Sequence, residues 1–343
     1  MSRINSVDTI RLLAITSVIA IHTSPFSLSA DSGEIYYYLN ILINQTARFA
    51  VPFFFVISGY FWGVKVRSGA DIAIITKNMV NRISVIFLAW SLIYIIPFNL
   101  IDAFENGALG PFKAVYWNLI RLFKYPMNTL FQGTAVHLWF LISLIFSVSI
   151  CAFFIKRKAF IFLAVLSIVL YIVGVLLKSY AETPMGVEVD FNTRNGPFFG
   201  LILFYSGYYF SGCTPTVKWF YYGFLIFIVG SVMHFAEVYT LMKLFGTSVM
   251  QDYVFGTLLM GIGMSMLALS NHSVLQSKYL SNVSRMTLGV YACHYIFVDL
   301  FKPLDKLYNS AIWEIGYVFI ILIFSFFTTC VLSKNKITSR LVL

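Results

Sequence analysis

Residues 138–155 read LWFLISLIFSVSICAFFI and run directly into Lys156, Arg157 and Lys158. Eighteen uncharged residues in helical form extend about 27 Å, close to the hydrocarbon thickness of a bilayer. The bases that follow give the span a direction, because short cytoplasmic loops are enriched in Lys and Arg. Similar windows lie at 84–99, 159–177, 219–235 and 312–332. The whole chain agrees with them: 59% of its residues are hydrophobic, only 11% are charged, and the mean hydropathy is +0.82. A soluble domain carries about 25% charge. We therefore expect an all-α polytopic membrane protein. No soluble stretch is long enough to bury its own core, so a single domain over 1–343 is expected.

About ten transmembrane helices in one bundle fit the length, near 7–26, 38–64, 80–98, 136–155, 159–177, 196–212, 217–236, 249–269, 283–303 and 311–332. Tyr116–Phe123 and Tyr239–Phe245 read as separate segments too short to cross. With both termini cytoplasmic, the inner segments hold 14 basic residues, among them Arg3, Lys65, Arg67, Lys77, Arg82, Lys278 and Arg285. The outer segments hold eight, including Lys113, Arg121, Lys124, Lys178 and Arg194. Acidic residues Asp31, Glu34, Asp102, Glu105, Glu182, Glu188 and Asp190 gather outside, as a solvated rim or as contacts to sugar hydroxyls.

A net charge of +10 raises the question of nucleic acid. Here the bases fall in short clusters between spans, which is a topology signal and not a binding face, so nucleic acid is excluded as a partner. Cys151, Cys213, Cys293 and Cys330 have no metal-ligand spacing, no zinc or iron site is expected, and no glycine loop opens a nucleotide fold. The first apolar segment lacks a basic leader and a cleavage site, and is expected to be retained.

Arg11 and His22 stand inside that first segment. Eleven helical residues make almost three turns, so both side chains leave nearly the same face, roughly 16 Å apart along the axis. Ionisable groups within a span mark function by default. His22 is the leading candidate for a base, since neutral imidazole accepts a proton near physiological pH; a packing histidine is the alternative. Arg11 offers a fork for phosphate or carboxylate, and Asp8 lies three residues earlier, within pairing reach. Arg48 precedes Pro52 and Ser58-Gly59, and serves either a developing negative charge or an acidic partner in the bundle. His137 and His294 are candidates for lining a cavity; His234 and His272 are weaker.

Four blocks carry a resemblance. They are Asp8-Thr9-Ile10-Arg11-Leu12-Leu13-Ala14 with His22, Val51 through Tyr60 (VPFFFVISGY), His137-Leu138-Trp139-Phe140-Leu141, and Ser284 through His294 (SRMTLGVYACH). In this order and spacing the chain resembles the acyltransferase-3 family of integral membrane O-acyltransferases. The resemblance implies a ten-helix enzyme of the bacterial inner membrane that takes an acyl group, commonly acetyl, from cytoplasmic coenzyme A. Its acceptor would be a hydroxyl on a cell-surface polysaccharide or a lipid-linked precursor.

On that likeness His22 is the essential histidine and Arg11 its paired arginine. Arg48 and Arg82 correspond to later basic positions, although Ile83-Ser84-Val85 departs from the family's arginine- and proline-rich continuation. The catalytic candidates are His22, Arg11 and Arg48, and the donor-binding candidates are Arg11 and Arg82. No SGNH-type domain is expected after the tenth span, and the chain resembles stand-alone members that O-acetylate surface polysaccharide or enterobacterial common antigen. Acetyl-CoA enters as donor substrate, with no permanently bound cofactor; the glycan acceptor, the lipid bilayer and polysaccharide-assembly proteins are the expected partners. A transporter or flippase for a lipid-linked saccharide is the competing reading, since many spans and a polar passage serve either task.

Overall fold

Each of the ten expected spans contains a helix in the computed structural model, which describes residues 4–27, 33–105, 107–277, 280, 284–308 and 310–342. Arg3, Asp31 and Lys278 of the charge pattern lie outside the described residues. In chain order the helices are α1 (Asn5–Thr23), α2 (Glu34–Thr46), α3 (Ala50–Arg67), α4 (Ile72–Ile93), α5 (Leu100–Glu105), α6 (Gly110–Lys124) and α7 (Pro126–Gln132). Then come α8 (Trp139–Lys156), α9 (Phe160–Leu176), α10 (Pro197–Phe210), α11 (Lys218–Phe245), α12 (Phe255–Leu269), α13 (Thr287–Leu307) and α14 (Ala311–Ser333). Among the described residues there is no strand. Among the described residues, six elements are long and apolar enough to cross a membrane: Asn5–Thr23, Glu34–Arg67, Ile72–Ile93, Val136–Lys156, Lys218–Phe245 and Ala311–Ser333. Phe160–Leu176 and Phe255–Leu269 are apolar but shorter. The fold is an all-α polytopic one.

Several boundaries differ from expectation for local reasons. Helix α4 starts at Ile72, where Asp71 caps it by accepting from the Ile74 amide at 2.9 Å. Tyr239–Phe245 is not a separate segment but the last two turns of α11, which runs 28 residues to a left-handed Gly246. Polar Glu237 does not end that helix because its carboxylate is fully employed. It accepts from the Tyr180 hydroxyl at 2.9 Å and from the Phe255 and Gly256 amides at 3.1 Å each. Those two amides open α12, so Glu237 caps the next helix and α12 starts at Phe255, leaving 246–254 as a loop.

The chain packs as two compact units, each assembled from separated segments. Unit one comprises Met1–Ala14, Gln45–Ile83 and Phe140–Ser284; unit two comprises Ile15–Asn44, Ser84–Trp139 and Arg285–Leu343. Within unit one, glycines let helices approach closely, as they do in membrane interiors. On α3 and α10, Gly59 meets the Phe204 carbonyl and Gly207 meets the Val56 carbonyl, where any Cβ would overlap backbone. Within unit two, hydroxyl and indole groups tie elements through main-chain acceptors. Tyr94 donates to the Ala292 carbonyl at 2.7 Å, Tyr317 to Val298 at 2.8 Å, and Trp90 Nε1 to Leu341 at 2.8 Å. These bonds hold α4, α13, α14 and the C-terminal turn around one histidine-bearing region.

Candidate active site

In unit two the structure brings His22, His137 and His294 together. Helix α1 ends one residue past His22, where Ser24 turns left-handed (φ 45°) and Asn40 of α2 donates to the Ser24 and Pro25 carbonyls at 3.1 and 2.7 Å. His137 lies in the 3-10 turn Val136–Leu138 before α8, and His294 on α13. Ring centroids are 5.2 Å apart for His22–His294, 4.8 Å for His137–His294 and 6.1 Å for His22–His137. His137 and His294 are buried, at 1% and 0% exposure, whereas His22 is half-buried. The ring of His22 is therefore not sealed among hydrocarbon side chains.

Tyrosines frame the cluster. Tyr295 stacks on His137 at 5.2 Å and stands edge-on to His22 at 5.5 Å. Tyr94 is edge-on to His137 at 5.1 Å, and the Tyr291 hydroxyl donates to the His137 carbonyl. The histidine tautomers follow from their partners, since a carbonyl only accepts. His294 Nδ1 donates to the Tyr291 carbonyl at 2.7 Å, and His137 Nε2 makes a longer 3.4 Å contact to the Ala292 carbonyl. The opposite nitrogens, His294 Nε2 and His137 Nδ1, are buried and have no hydrogen-bond partner. The cluster thus presents neutral imidazoles with lone pairs, which suits proton transfer. Among the described residues no group of three His, Cys, Asp or Glu side chains has the arrangement to hold a metal ion.

The arginine candidates lie in unit one. Arg11 Nη1 meets Asp8 Oδ1 at 3.2 Å and its guanidinium lies over Phe61 at 5.1 Å; its side chain is 27% exposed. Arg48, in the 3-10 turn Ala47–Phe49, pairs with Asp252 at 3.1 Å. Arg194 reaches the same oxygen at 2.8 Å and Lys178 the other at 3.6 Å. Burial pushes the Asp252 carboxyl up, but Arg194, Arg48 and Lys178 outweigh it and hold the group at about 2. Lys178 also borders a cavity of about 520 Å³ lined by Glu182, Glu188, Asp190 and Asn192. Arg82 is exposed on α4. His234 bridges Thr257 and Gln45 at 2.9 Å each, and His272 accepts from the Val274 amide, so both have local structural duties.

The sequence named all three histidines separately but gave no sign of their convergence. It gave the tyrosines that frame them no role, although Tyr291 and Tyr295 flank His294 in the chain. Asp252 carries no such sign either, since 249–254 reads in sequence as the start of a span.

The family described as Acyl_transf_3, Acyltransferase domain, matches residues 4–334. The chain belongs to the acyltransferase-3 family. Its long apolar helices are those of a multi-pass membrane protein. Two curated relatives from Enterococcus faecalis, each named amino-acid racemase, are also similar. One is 30% identical over 223 residues, covering 60% of this chain and 28% of the relative. The other is 30% identical over 175 residues, covering 50% of this chain and 22% of the relative. The chain thus spans about a quarter of the length of the curated relatives it matches. No solved structure matches it.

Proposed function

We propose that this acyltransferase moves an acetyl group from acetyl-CoA to a hydroxyl of a cell-surface polysaccharide or its lipid-linked precursor, with His22 as general base. The observation that carries the reading is the half-buried His22 ring among imidazoles that keep bare nitrogens. His22 takes the proton from the acceptor hydroxyl as its oxygen attacks the thioester carbon. A C–O bond forms, the C–S bond breaks, and the departing thiolate recovers the proton from His22. The carbonyl end of α1, where His22 sits, favours the positive charge that the ring holds in between.

In this reading Arg11 and Arg82 receive the donor's phosphates. Arg48, already engaged by Asp252, acts by holding its surroundings in place and not by contacting the acyl oxygen. The protein sits in a bacterial inner membrane with both termini cytoplasmic, in keeping with the basic inner loops.

The test is purified protein in nanodiscs with radiolabelled acetyl-CoA and defined glycan acceptors. Coenzyme A release matched by acetylated glycan is the expected outcome. Transfer of label to no acceptor, together with saccharide movement across proteoliposomes, would instead establish a transporter.

A further inference from the structure

Both histidine neighbours of His22 keep one buried ring nitrogen without a hydrogen-bond partner. His294 spends its only N–H on the Tyr291 carbonyl at 2.7 Å, one turn back on its own helix. Its Nε2 is left as a lone pair, buried and without a hydrogen-bond partner, on a residue with 0% exposure. A buried acceptor of this kind costs stability unless some state of the protein supplies a donor. The His22 ring is 5.2 Å away, centroid to centroid, tilted by 42°. At that separation two nitrogen edges turned toward each other come within hydrogen-bond distance. His137 is farther from His22, at 6.1 Å, and is clamped by Tyr295 stacked on its face.

We propose that His294 is a positioning residue for His22: its bare Nε2 accepts an N–H of the His22 ring. This rests on the acyltransferase reading and deepens it. With one nitrogen of His22 donating to His294, the other nitrogen is obliged to be the lone pair that faces the acceptor hydroxyl. When that nitrogen takes the hydroxyl proton, the ring carries two N–H groups and a positive charge, and the bond to His294 strengthens. No proton leaves His22 by this route. It returns to the thiolate of coenzyme A as the C–S bond breaks, and His294 stays neutral throughout. The His294 tautomer is set by main chain, which does not titrate, so its readiness to accept is permanent.

The experiment compares wild type, His294→Leu and His294→Gln in nanodiscs, measuring kcat and KM for acetyl-CoA and glycan. Leucine keeps bulk without an acceptor; glutamine returns a carbonyl oxygen near the position of Nε2. His294→Leu should lower kcat about 100-fold, the scale of a general-base contribution, with both KM values within about twofold. His294→Gln should recover at least about tenfold of that loss. Wild-type kcat in His294→Leu, an equal loss in both variants, or a loss confined to KM would overturn the proposal.

If His294→Leu does not fold, solid-state NMR of wild type with 15N-histidine decides. The His294 Nε2 resonance should be that of an unprotonated acceptor and should move in His22→Ala; an unmoved resonance refutes the contact. The two readings fail separately. Full transfer by His22→Ala sinks the base and with it this proposal, whereas a dead His22→Ala beside a fully active His294→Leu sinks only the positioning role.

Discussion

In unit one, Arg48, Arg194 and Lys178 converge on the single carboxylate of Asp252, and charge is answered by charge. In unit two, three imidazoles converge, and two of them keep a buried nitrogen with nothing to bind. The first arrangement lowers the energy of the folded chain as it stands. The second holds back hydrogen-bonding capacity that folding alone does not use. Polar groups inside a membrane protein are costly, so the pair separates two reasons for keeping them: one cluster builds, and the other is the one we propose for chemistry.

The contrast breaks most visibly in catalysis. His22→Ala should lower acyl transfer by about 10²–10⁴-fold, while its thermal midpoint stays near that of wild type, since the ring is half-buried. A scan and an activity assay on one preparation check both halves. Asp252→Ala should do the reverse. Removing the carboxylate that two guanidiniums share costs about 3 kcal/mol, the low end for a buried pair because these side chains keep some exposure. Denaturation in detergent measures that loss.

Its pH dependence sharpens the comparison. The folded carboxyl is depressed to about 2, below its unfolded value, so its stabilisation is complete above about pH 4 and fades as pH falls toward 2. The gap between wild type and Asp252→Asn should therefore hold from pH 8 to 5 and narrow below 4. A gap that instead grows in acid would show that the ion pairs are not its source.

Smaller effects follow. His234→Ala takes one hydrogen-bond partner each from Gln45 and Thr257 and should cost about 1–3 kcal/mol without slowing transfer. A matching fall in kcat would give that histidine a chemical duty as well. Arg82→Ala, on an exposed surface of α4, should leave stability within about 0.5 kcal/mol. It should raise the KM for acetyl-CoA about fivefold through a lost phosphate contact. An unchanged KM removes Arg82 from the donor site.

Much of this fold was legible in the sequence because crossing a bilayer demands long apolar runs. Leu138–Ile155 declares itself without context. The end of α11 did not, since Glu237 looks like a terminator until Tyr180 and the first amides of α12 are seen to employ it. Single histidines in apolar surroundings were equally easy to notice. Their meeting was not, because α1, the turn before α8, and α13 are far apart in sequence and nothing local encodes their packing. Asp252 shows the same limit from the other side. Its neighbours Gln251 and Tyr253 give no hint of cations arriving from three distant segments.

Chemical rescue tests directly whether imidazole at position 22 moves the proton. His22→Gly opens room for a free base at the same place. Acetyl transfer from acetyl-CoA to glycan by this variant should be slow and should rise with added imidazole. Transfer by His22→Gly at the wild-type rate, with no imidazole present, would contradict the account.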